Sequence, residues 1–273
     1  MPISKGRCRL AGVAIALVLA GFAAPALALD PGAQIREDTS PSQAYEMALR
    51  AYRAGQKDTA LNALEFAARK GHTKAQWELA RRYAKGDGVK RDVVKAFKYF
   101  QILADQHAED SPFLSTARIV ADSFVELSGY YLSGIPEAGV VQDVSQAFNL
   151  LYHAATYFGD SDAQYKLGMM YLEGRGRDPS LTTAAKWLHL AAKKNNVDAQ
   201  AQLGRLLYTK RNGPKDKLAG LMFLEVARRR AEGPQHAWIV QTHDQIFASL
   251  QGEEREMAID AANRWIAKHG DKR

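Results

Sequence analysis

The sequence predicts an all-α fold, a right-handed α-solenoid of antiparallel helix pairs with helical caps at its ends. Three observations lead to this prediction. Alanine-bounded apolar segments recur along the chain, a second helical pattern follows each of them, and glycine or asparagine turns separate the helices. Self-similarity at a period of 20–50 residues is typical of repeat architectures, in which each unit buries its apolar face against its neighbours.

The first 28 residues are predicted to be a secretory signal peptide. Lys5, Arg7 and Arg9 form a basic segment, residues 10–22 are apolar, and Ala26-Leu27-Ala28 is typical of a cleavage site. A membrane anchor is the less favoured interpretation, because the apolar run is shorter than the roughly 20 residues that span a bilayer. We therefore expect a periplasmic product, exported through its signal peptide and without direct membrane insertion after cleavage.

The composition argues against cysteine chemistry and against nucleic-acid binding. The only cysteine, Cys8, lies in the signal peptide, so the exported chain would carry no disulfide, no thiolate nucleophile and no cysteine metal site. The 37 Lys and Arg residues, minus the three in the signal peptide, exceed the 30 Asp and Glu residues by four. Such a small excess does not indicate nucleic-acid binding, which requires a dense basic face.

Four parts are expected along the chain: a signal peptide (residues 1–28), a flexible leader (29–41), the repeat solenoid (42–232) and C-terminal capping helices (233–273). Residues 42–55 carry apolar side chains at helical spacing and are predicted to open the stack. Seven apolar side chains of the closing helices are expected to face the core: Trp238, Ile239, Ile246, Phe247, Ile259, Trp265 and Ile266.

The first helix of each unit is predicted from nine-residue segments that begin and end with alanine. These segments are residues 60–68, 96–104, 147–155 and 184–192, and a weaker fifth copy begins at Gly220. Their starts at 60, 96, 147, 184 and 220 are separated by 36, 51, 37 and 36 residues. Only the second interval is irregular, which predicts an insertion in that unit.

The second helix of each unit is predicted from residues 75–83, 163–171 and 199–207. Glycine inside a helix costs roughly 1 kcal/mol relative to alanine, yet Gly168 and Gly204 occupy equivalent positions. A packing reason is therefore expected, because a residue without Cβ allows another backbone to approach closely.

The turns repeat as well. Lys70-Gly71-His72 and Asn195-Asn196 are expected to end helices in the left-handed conformation, and two glycine pairs, in 86–89 and 174–177, separate units. No Lys-Ser or Lys-Thr follows these glycines, which argues against a phosphate-binding loop.

The irregular unit carries a polar segment, residues 105–112, and its second helix is expected to begin near Ala117. A long loop then follows at 135–143. Extra length on a solenoid loop is often used for binding, and a disordered loop without function is the alternative.

A motif from Ala60 to Val89 resembles the Sel-like repeat, a relative of the tetratricopeptide repeat. The motif reads Ala-x-x-x-Leu-x-x-Ala-Ala-x-x-Gly-His-x-x-Ala-Gln-x-x-Leu-Ala-x-x-Tyr-x-x-Gly-Asp-Gly-Val. The resemblance covers about residues 44–230. The whole layout, with its signal peptide, opening helix and acidic insertion at Asp110-Ser111-Pro112-Phe113, is similar to the family of periplasmic negative regulators of exopolysaccharide production.

This resemblance implies a partner and a role. The partner would be the periplasmic sensing domain of a sensor histidine kinase of the ExoS type, and the role would be to hold its two-component signalling inactive. Release would come through acid-linked cleavage by a periplasmic protease. An envelope scaffold, or a substrate-docking protein for a cell-wall hydrolase, is the alternative function.

A binding face is predicted from spacing within the first helices. Positions two, five and nine after each start are mainly polar, whereas positions one, three, four, seven and eight are apolar and are expected to form the core. The polar positions form one stripe, and in tetratricopeptide-like solenoids the first helices line the concave surface. The partner-binding candidates are Asn62, Glu65, Arg69, Lys98, Gln101, Asn149, Tyr152, His153, Lys186 and His189.

Catalytic patterns are not found in the sequence. The seven histidines, at 72, 107, 153, 189, 236, 243 and 269, include no pair at the i, i+4 spacing of a helical metal site, and there is no Gly-x-Ser-x-Gly motif. We expect no enzyme activity, no cofactor and no metal. A pH response is a further hypothesis: protonation of His153 and His189 would weaken the partner contact, because histidine titrates near pH 6.5.

Overall fold

The computed structural model describes residues 35–210 and 213–270. The signal peptide predicted at residues 1–28 lies outside these ranges. The described residues form twelve α-helices, which confirms the all-α prediction. These are α1 Pro41–Arg53, α2 Lys57–Arg69, α3 Thr73–Lys85, α4 Val93–His107, α5 Ala117–Ser133, α6 Val144–Thr156, α7 Ser161–Glu173, α8 Leu181–Lys193, α9 Val197–Lys210, α10 Pro214–Arg230, α11 Ala237–Ala248 and α12 Gly252–His269.

Each helix from α1 to α10 packs against the next in the chain, and α12 packs against α10. The predicted first helices are α2, α4, α6, α8 and α10, and the second helices are α3, α5, α7 and α9. Short connections make consecutive helices antiparallel. Helix α10 begins at Pro214, six residues before Gly220, and is therefore longer than the weak fifth copy predicted.

The core follows the predicted spacing at most positions of the first helices. Four residues after each start, Leu64, Phe100, Leu151 and Leu188 are at most 3% exposed. The prediction was wrong at the third position of three units, where Tyr99, Leu150 and Trp187 are only half-buried. Aromatic side chains at this position reach across to neighbouring helices and stay partly open to solvent.

A buried glutamine joins the two helices of each regular unit. Gln76 of α3, Gln164 of α7 and Gln200 of α9 are at most 4% exposed, and each donates its amide N–H to a carbonyl near the end of the preceding helix. The accepting oxygens belong to Ala68, Ala155 and Ala192, at 3.2, 3.1 and 3.0 Å. The last carbonyls of a helix have no intrahelical partner, so this side chain supplies one.

Two predicted close approaches are confirmed at the glycines. A Cβ built on Gly168 would lie 2.8 Å from Leu188 Cγ in α8. A Cβ on Gly204 would lie 2.8 Å from the backbone oxygen of Gly220 in α10, and Gly220 meets the backbone of α9 in the same way. The absence of side chains therefore lets α9 and α10 touch through their backbones.

The predicted left-handed turns are also confirmed. Gly71, Gly86 and Gly174 have φ values of +85°, +78° and +70°, and Asn195 has +66°. Asn195 is the one residue other than glycine with positive φ in the described ranges.

The irregular unit is longer at both helices. Helix α5 begins at Ala117, as the sequence predicted, whereas α4 continues to His107, three residues into the segment interpreted as a polar insertion. Side chains of α6 hold the inserted segment: the Nε2 atom of His153 donates to the Ala108 carbonyl at 2.9 Å, and the Tyr157 hydroxyl donates to the Glu109 carbonyl at 3.0 Å.

Part of the leader predicted to be flexible contacts the solenoid. Ile35 packs against the main core cluster, and the Glu37 carbonyl accepts a hydrogen bond from Lys70 Nζ at 3.4 Å. Ser40 then caps α1 by accepting from the Gln43 N–H.

The closing helices bury Ile239, Phe247 and Trp265, as predicted, whereas the other four apolar residues expected to point inward are partly exposed. A buried polar network also joins this cap. Glu225 of α10 accepts from His243 Nε2 at 2.8 Å and from Arg229 at 2.6 Å. Although burial raises the pKa of Glu225, these two hydrogen bonds lower it overall.

Candidate protein-binding groove

A groove of about 590 Å³ lies between α2, α3 and α4. We call it the concave groove, because the first helices α2 and α4 form its sides and α3 lies at its base. The lining residues are Glu65, Ala68, Arg69, Gly71, Gln76, Tyr83, Lys95, Lys98, Tyr99, Ile102 and Gln106.

Stacked tyrosines organise this groove. The rings of Tyr83 and Tyr99 lie 6.4 Å apart with an interplanar angle of 5°, so an aromatic contact joins α3 and α4, with Tyr83 buried and Tyr99 half-buried. The Tyr83 hydroxyl donates to Glu65 Oε1 at 3.0 Å, which fixes the carboxylate of α2. Burial and this hydrogen bond to Glu65 raise the pKa of Tyr83 to about 12, so the phenol stays protonated and remains a donor.

The charge of the groove is mainly positive. Lys95 lies 4.8 Å above the Tyr83 ring and 3.8 Å from Asp92, and Arg69 lies 5.9 Å from a phenylalanine ring of its own helix. Lys98 is exposed. Cations held over aromatic rings can bind a carboxylate without a large reorganisation, so the groove suits an acidic protein surface.

Five other residues of the predicted polar stripe lie outside the groove. Asn62, Gln101, Asn149, Lys186 and His189 are all exposed. None of these five lines the concave groove, which receives Glu65, Arg69 and Lys98 from the candidate set.

Tyr152 forms an aromatic contact between α6 and α8. Its ring is 48% exposed, stacks on Phe148 at 6.1 Å and meets Trp187 edge-on at 6.2 Å. The first helices α6 and α8 thus share an aromatic contact of their own, separate from the pair of Tyr83 and Tyr99.

The two candidate histidines lie in different surroundings. His189 lies on the stripe, and its pKa is lowered by burial and then by Lys193 and His269. His153 does not lie on the stripe. Its half-buried ring lies 4.7 Å from that of Phe124, and its Nε2 atom is bonded to the inserted segment.

Sequence reasoning missed five groove residues. The position of Tyr99 assigned it to the core. Nothing in the sequence around Tyr83, which precedes the turn glycine, indicated that its side chain reaches α2. The other three missed residues do not lie at positions two, five and nine after a start, which define the stripe. The missed residues are Tyr83, Lys95, Tyr99, Ile102 and Gln106.

The described residues contain no group of three His, Cys, Asp or Glu side chains placed to hold a metal ion. Within the same ranges, no helix combines the length and apolar character needed to cross a membrane.

The helix pairs define this chain as an α-solenoid of repeats, and the family comparison specifies the repeat. The Sel1 repeat family matches residues 73–107, 126–156, 161–196 and 197–230. Each match joins a second helix to the first helix of the next unit, so the family's frame is shifted by one helix from the pairs predicted here. In the irregular unit α4 lies within the first match, and the matches resume at residue 126, so residues 108–125 fall outside them.

Two curated relatives extend over nearly the whole chain. The exopolysaccharide production negative regulator of Rhizobium meliloti (strain 1021) is 32% identical over 264 residues, covering 96% of each chain. The protein of the same description from Rhizobium leguminosarum bv. viciae is 32% identical, covering 92% of this chain and 91% of its own. The chain belongs to this family of exopolysaccharide production negative regulators.

Solved structures agree with the fold. The protective antigen c5321 of uropathogenic Escherichia coli, which displays an SLR fold, aligns with a TM-score of 0.66 at 21% identity, covering 84% of this chain and 46% of its own. A Sel1 repeat protein from Oxalobacter formigenes aligns with a TM-score of 0.63 at 23% identity, covering 84% and 87%. Sel1 repeats and regulator relatives together favour a non-catalytic interaction protein.

Proposed function

We propose that this chain is a periplasmic negative regulator that binds the sensing domain of an ExoS-type histidine kinase and represses its two-component signalling. Exopolysaccharide production and motility are the expected outputs. Membership in the regulator family supports the regulatory role. The predicted signal peptide, with its basic segment and short apolar run, supports export to the periplasm.

The concave groove is the proposed contact surface. The observation that carries this proposal is that three predicted candidates, Glu65, Arg69 and Lys98, line one groove together with a stacked pair of tyrosines. Tyrosine and arginine are enriched where protein interfaces hold most of their binding energy. The positive charge of the groove predicts an acidic patch on the kinase domain.

Release by acid-linked proteolysis is the second part of the proposal. The inserted segment ends in an exposed loop, where Phe113 is 95% and Leu114 50% exposed. Exposed loop tips are preferred sites of proteolytic cleavage. His189 lies on the predicted polar stripe, outside the concave groove, and burial lowers its pKa, so the ring is neutral at pH 7. Acid would add a positive charge there, which would weaken a partner contact made by the neutral ring.

Capture of membrane proteins by the purified chain tests the proposed contact. The native protein is expected to retain a sensor histidine kinase, and the R69E/K98E variant is expected to retain at least tenfold less. The R53E/K57E variant makes the same charge change at exposed positions outside the groove and is expected to behave like the native protein. Equal capture by R69E/K98E, or capture of no kinase, would refute the proposal.

A gene deletion distinguishes the regulator from the scaffold. Derepressed exopolysaccharide and lost motility are expected for the regulator. A cell-wall defect with normal exopolysaccharide would support the alternative function instead.

A further inference from the structure

A second cavity, of about 840 Å³, opens between α3 and α5. We call it the α3–α5 cleft. It lies on the other side of α4 from the concave groove: Phe100 lines the cleft, whereas Lys95, Lys98 and Tyr99 line the groove. At about 100° per residue, Phe100 is directed roughly 140° away from Lys95. The two cavities are therefore separate, and one can be occupied while the other is empty.

The insertion builds one wall of this cleft. We align α3 and α5 on Tyr83 and Tyr131, the tyrosines in their last turns. In this alignment α5 begins four residues earlier than α3, which is about one helical turn. Arg118 and Ile119 belong to this extra turn, and both line the cleft. The corresponding helices α7 and α9 begin in register with α3 and have no such turn.

Positive side chains surround the opening. Arg81, Lys85, Arg91 and Arg118 line it and are exposed. Arg81 lies 4.6 Å above the Trp77 ring, and Arg91 donates to a backbone carbonyl of α3 at 3.2 Å. No carboxylate of the described ranges lies within 4.0 Å of any of these four cations, although the charges of Arg81 and Lys85 act on Glu126 at longer range. Their charges are therefore only partly balanced and can attract a bound anion.

Two carboxylates also line the cleft. Asp122 accepts from Trp77 Nε1 at 2.5 Å, and burial, followed by the charge of Asp122, raises the pKa of Glu126. These carboxylates would repel a compact dianion such as phosphate, but they can accept N–H groups. The apolar side chains of Val93, Ile119 and Tyr130 complete the lining.

We propose that the α3–α5 cleft binds an extended acidic peptide segment of a partner protein. Carboxylate side chains of the segment would pair with Arg81 and Arg118, whose planar guanidinium groups suit two-point contact with a carboxylate. Its backbone N–H groups would reach Glu126, and an apolar side chain would lie against Ile119 and Tyr130. A peptide supplies all three chemical groups at once. The size of the cavity is within the range of ligand-binding pockets.

Fluorescence anisotropy with a labelled peptide tests this site. The probe is a nine-residue peptide in which Asp and Glu alternate with Leu and Phe, and the matched peptide carries Asn and Gln instead. The native protein is expected to bind the acidic peptide at least tenfold more tightly than the amide peptide. The R81Q/R118Q variant is expected to lose at least tenfold in affinity, and R53Q/K57Q is expected to stay within twofold.

Three results would overturn the proposal: no binding of the acidic peptide by the native protein, equal binding by R81Q/R118Q, or preferential binding of a carboxylated oligosaccharide such as trigalacturonic acid. Circular dichroism verifies the fold of each variant. If R81Q/R118Q does not fold, K85Q/R91Q removes the other two charges and is subject to the same criteria. The outcome is independent of the kinase capture experiment, because that experiment changes only residues of the concave groove and exposed controls outside both cavities.

Discussion

The regular units and the irregular unit hold their helices together by different means. In α8–α9, Gln200 bonds the end of α8, and Gly204 lets α9 touch α10 through the backbone. We align α5 with the regular second helix α7 on the glycine that follows each helix. In α5, Phe124 then occupies the position of the buried glutamine, and Ser128 occupies the position of the glycine within the helix. The helix-end bond is therefore missing from α5, and aromatic contacts and hydrogen bonds from α6 replace it.

This difference shows how a solenoid accommodates an insertion. Regular units depend on buried groups that do not titrate and tolerate little change in size. The irregular unit depends on partly exposed contacts, and in exchange it gains the extra turn of α5 and the cleft beside it. We expect mutations in the regular units to affect global stability, and mutations at the insertion to affect local opening.

The largest expected effect is at Gly204. G204A places a Cβ 2.8 Å from backbone atoms of α10, which cannot move as a flexible side chain would. We expect a loss of about 2–3 kcal/mol in the free energy of unfolding from overpacking, even after the gain in helix propensity. Urea unfolding followed by circular dichroism measures it.

Gly129 of the irregular unit is the matched control. It lies within α5, and a Cβ there would meet nothing within 4 Å. G129A is therefore expected to stabilise the chain by about 0.5–1 kcal/mol through helix propensity alone. If both variants changed stability in the same direction and by similar amounts, the contrast between the two regions would be incorrect.

The fold could be predicted from the sequence because periodicity encodes it locally. Gly168 and Gly204 stood at equivalent positions, and their high propensity cost indicated a close contact before any partner helix was known. The groove was only partly predictable. Glu65, Arg69 and Lys98 followed from spacing, but the stack of Tyr83 on Tyr99 joins two helices, and single-helix periodicity carries no information about such a contact.

The role of His153 shows the same limitation. Its position near the stripe suggested a surface residue, whereas the carbonyl it binds belongs to Ala108, 45 positions earlier in the chain. The irregular spacing indicated that an insertion exists. It could not indicate which side chains of the next unit hold that insertion.

The second prediction concerns the glutamine bond of the regular units. Q200L keeps the approximate size of the side chain but removes its hydrogen bond to the Ala192 carbonyl, which keeps the bond from the Asn195 N–H. The net loss of one hydrogen bond costs about 0.5–1.5 kcal/mol, and we expect that loss in urea unfolding. Q202L, on the same helix, changes a partly exposed glutamine that pairs with Arg205, and should stay within about 0.5 kcal/mol. An equal loss in both variants would contradict the proposed bond.

The third prediction concerns local opening of the insertion. H153F keeps a ring beside Phe124 but removes the hydrogen bond to the Ala108 carbonyl. A loss of about 1 kcal/mol in local stability should speed chymotrypsin cleavage after Phe113 by about fivefold. Y157F, which removes the bond to Glu109, should act in the same direction. Unchanged cleavage rates in both variants would show that these bonds do not restrain the segment.

The smallest expected effect is a pH dependence of the free energy of unfolding, caused by a histidine at the start of α3. His72 Nδ1 accepts the Ala75 N–H, so it must be neutral to cap the helix, and the pKa of His72 is lowered by burial and by Lys74. The equivalent cap of α9 is Asn196, whose Oδ1 accepts from Ala199 and does not titrate. Two regular units therefore differ at this capping position.

The sign of this effect follows from the lowered pKa. The folded state favours neutral His72, so its contribution is complete above pH 6.5 and is lost as the pH falls below 6.5 toward the folded-state pKa. H72N should remove this dependence, so its stability relative to the native chain should rise by a few tenths of a kcal/mol between pH 7 and pH 5. Urea unfolding of both proteins at several pH values measures the difference, and titrations of other groups cancel in it. A pH-independent difference would show that His72 does not link acid to stability.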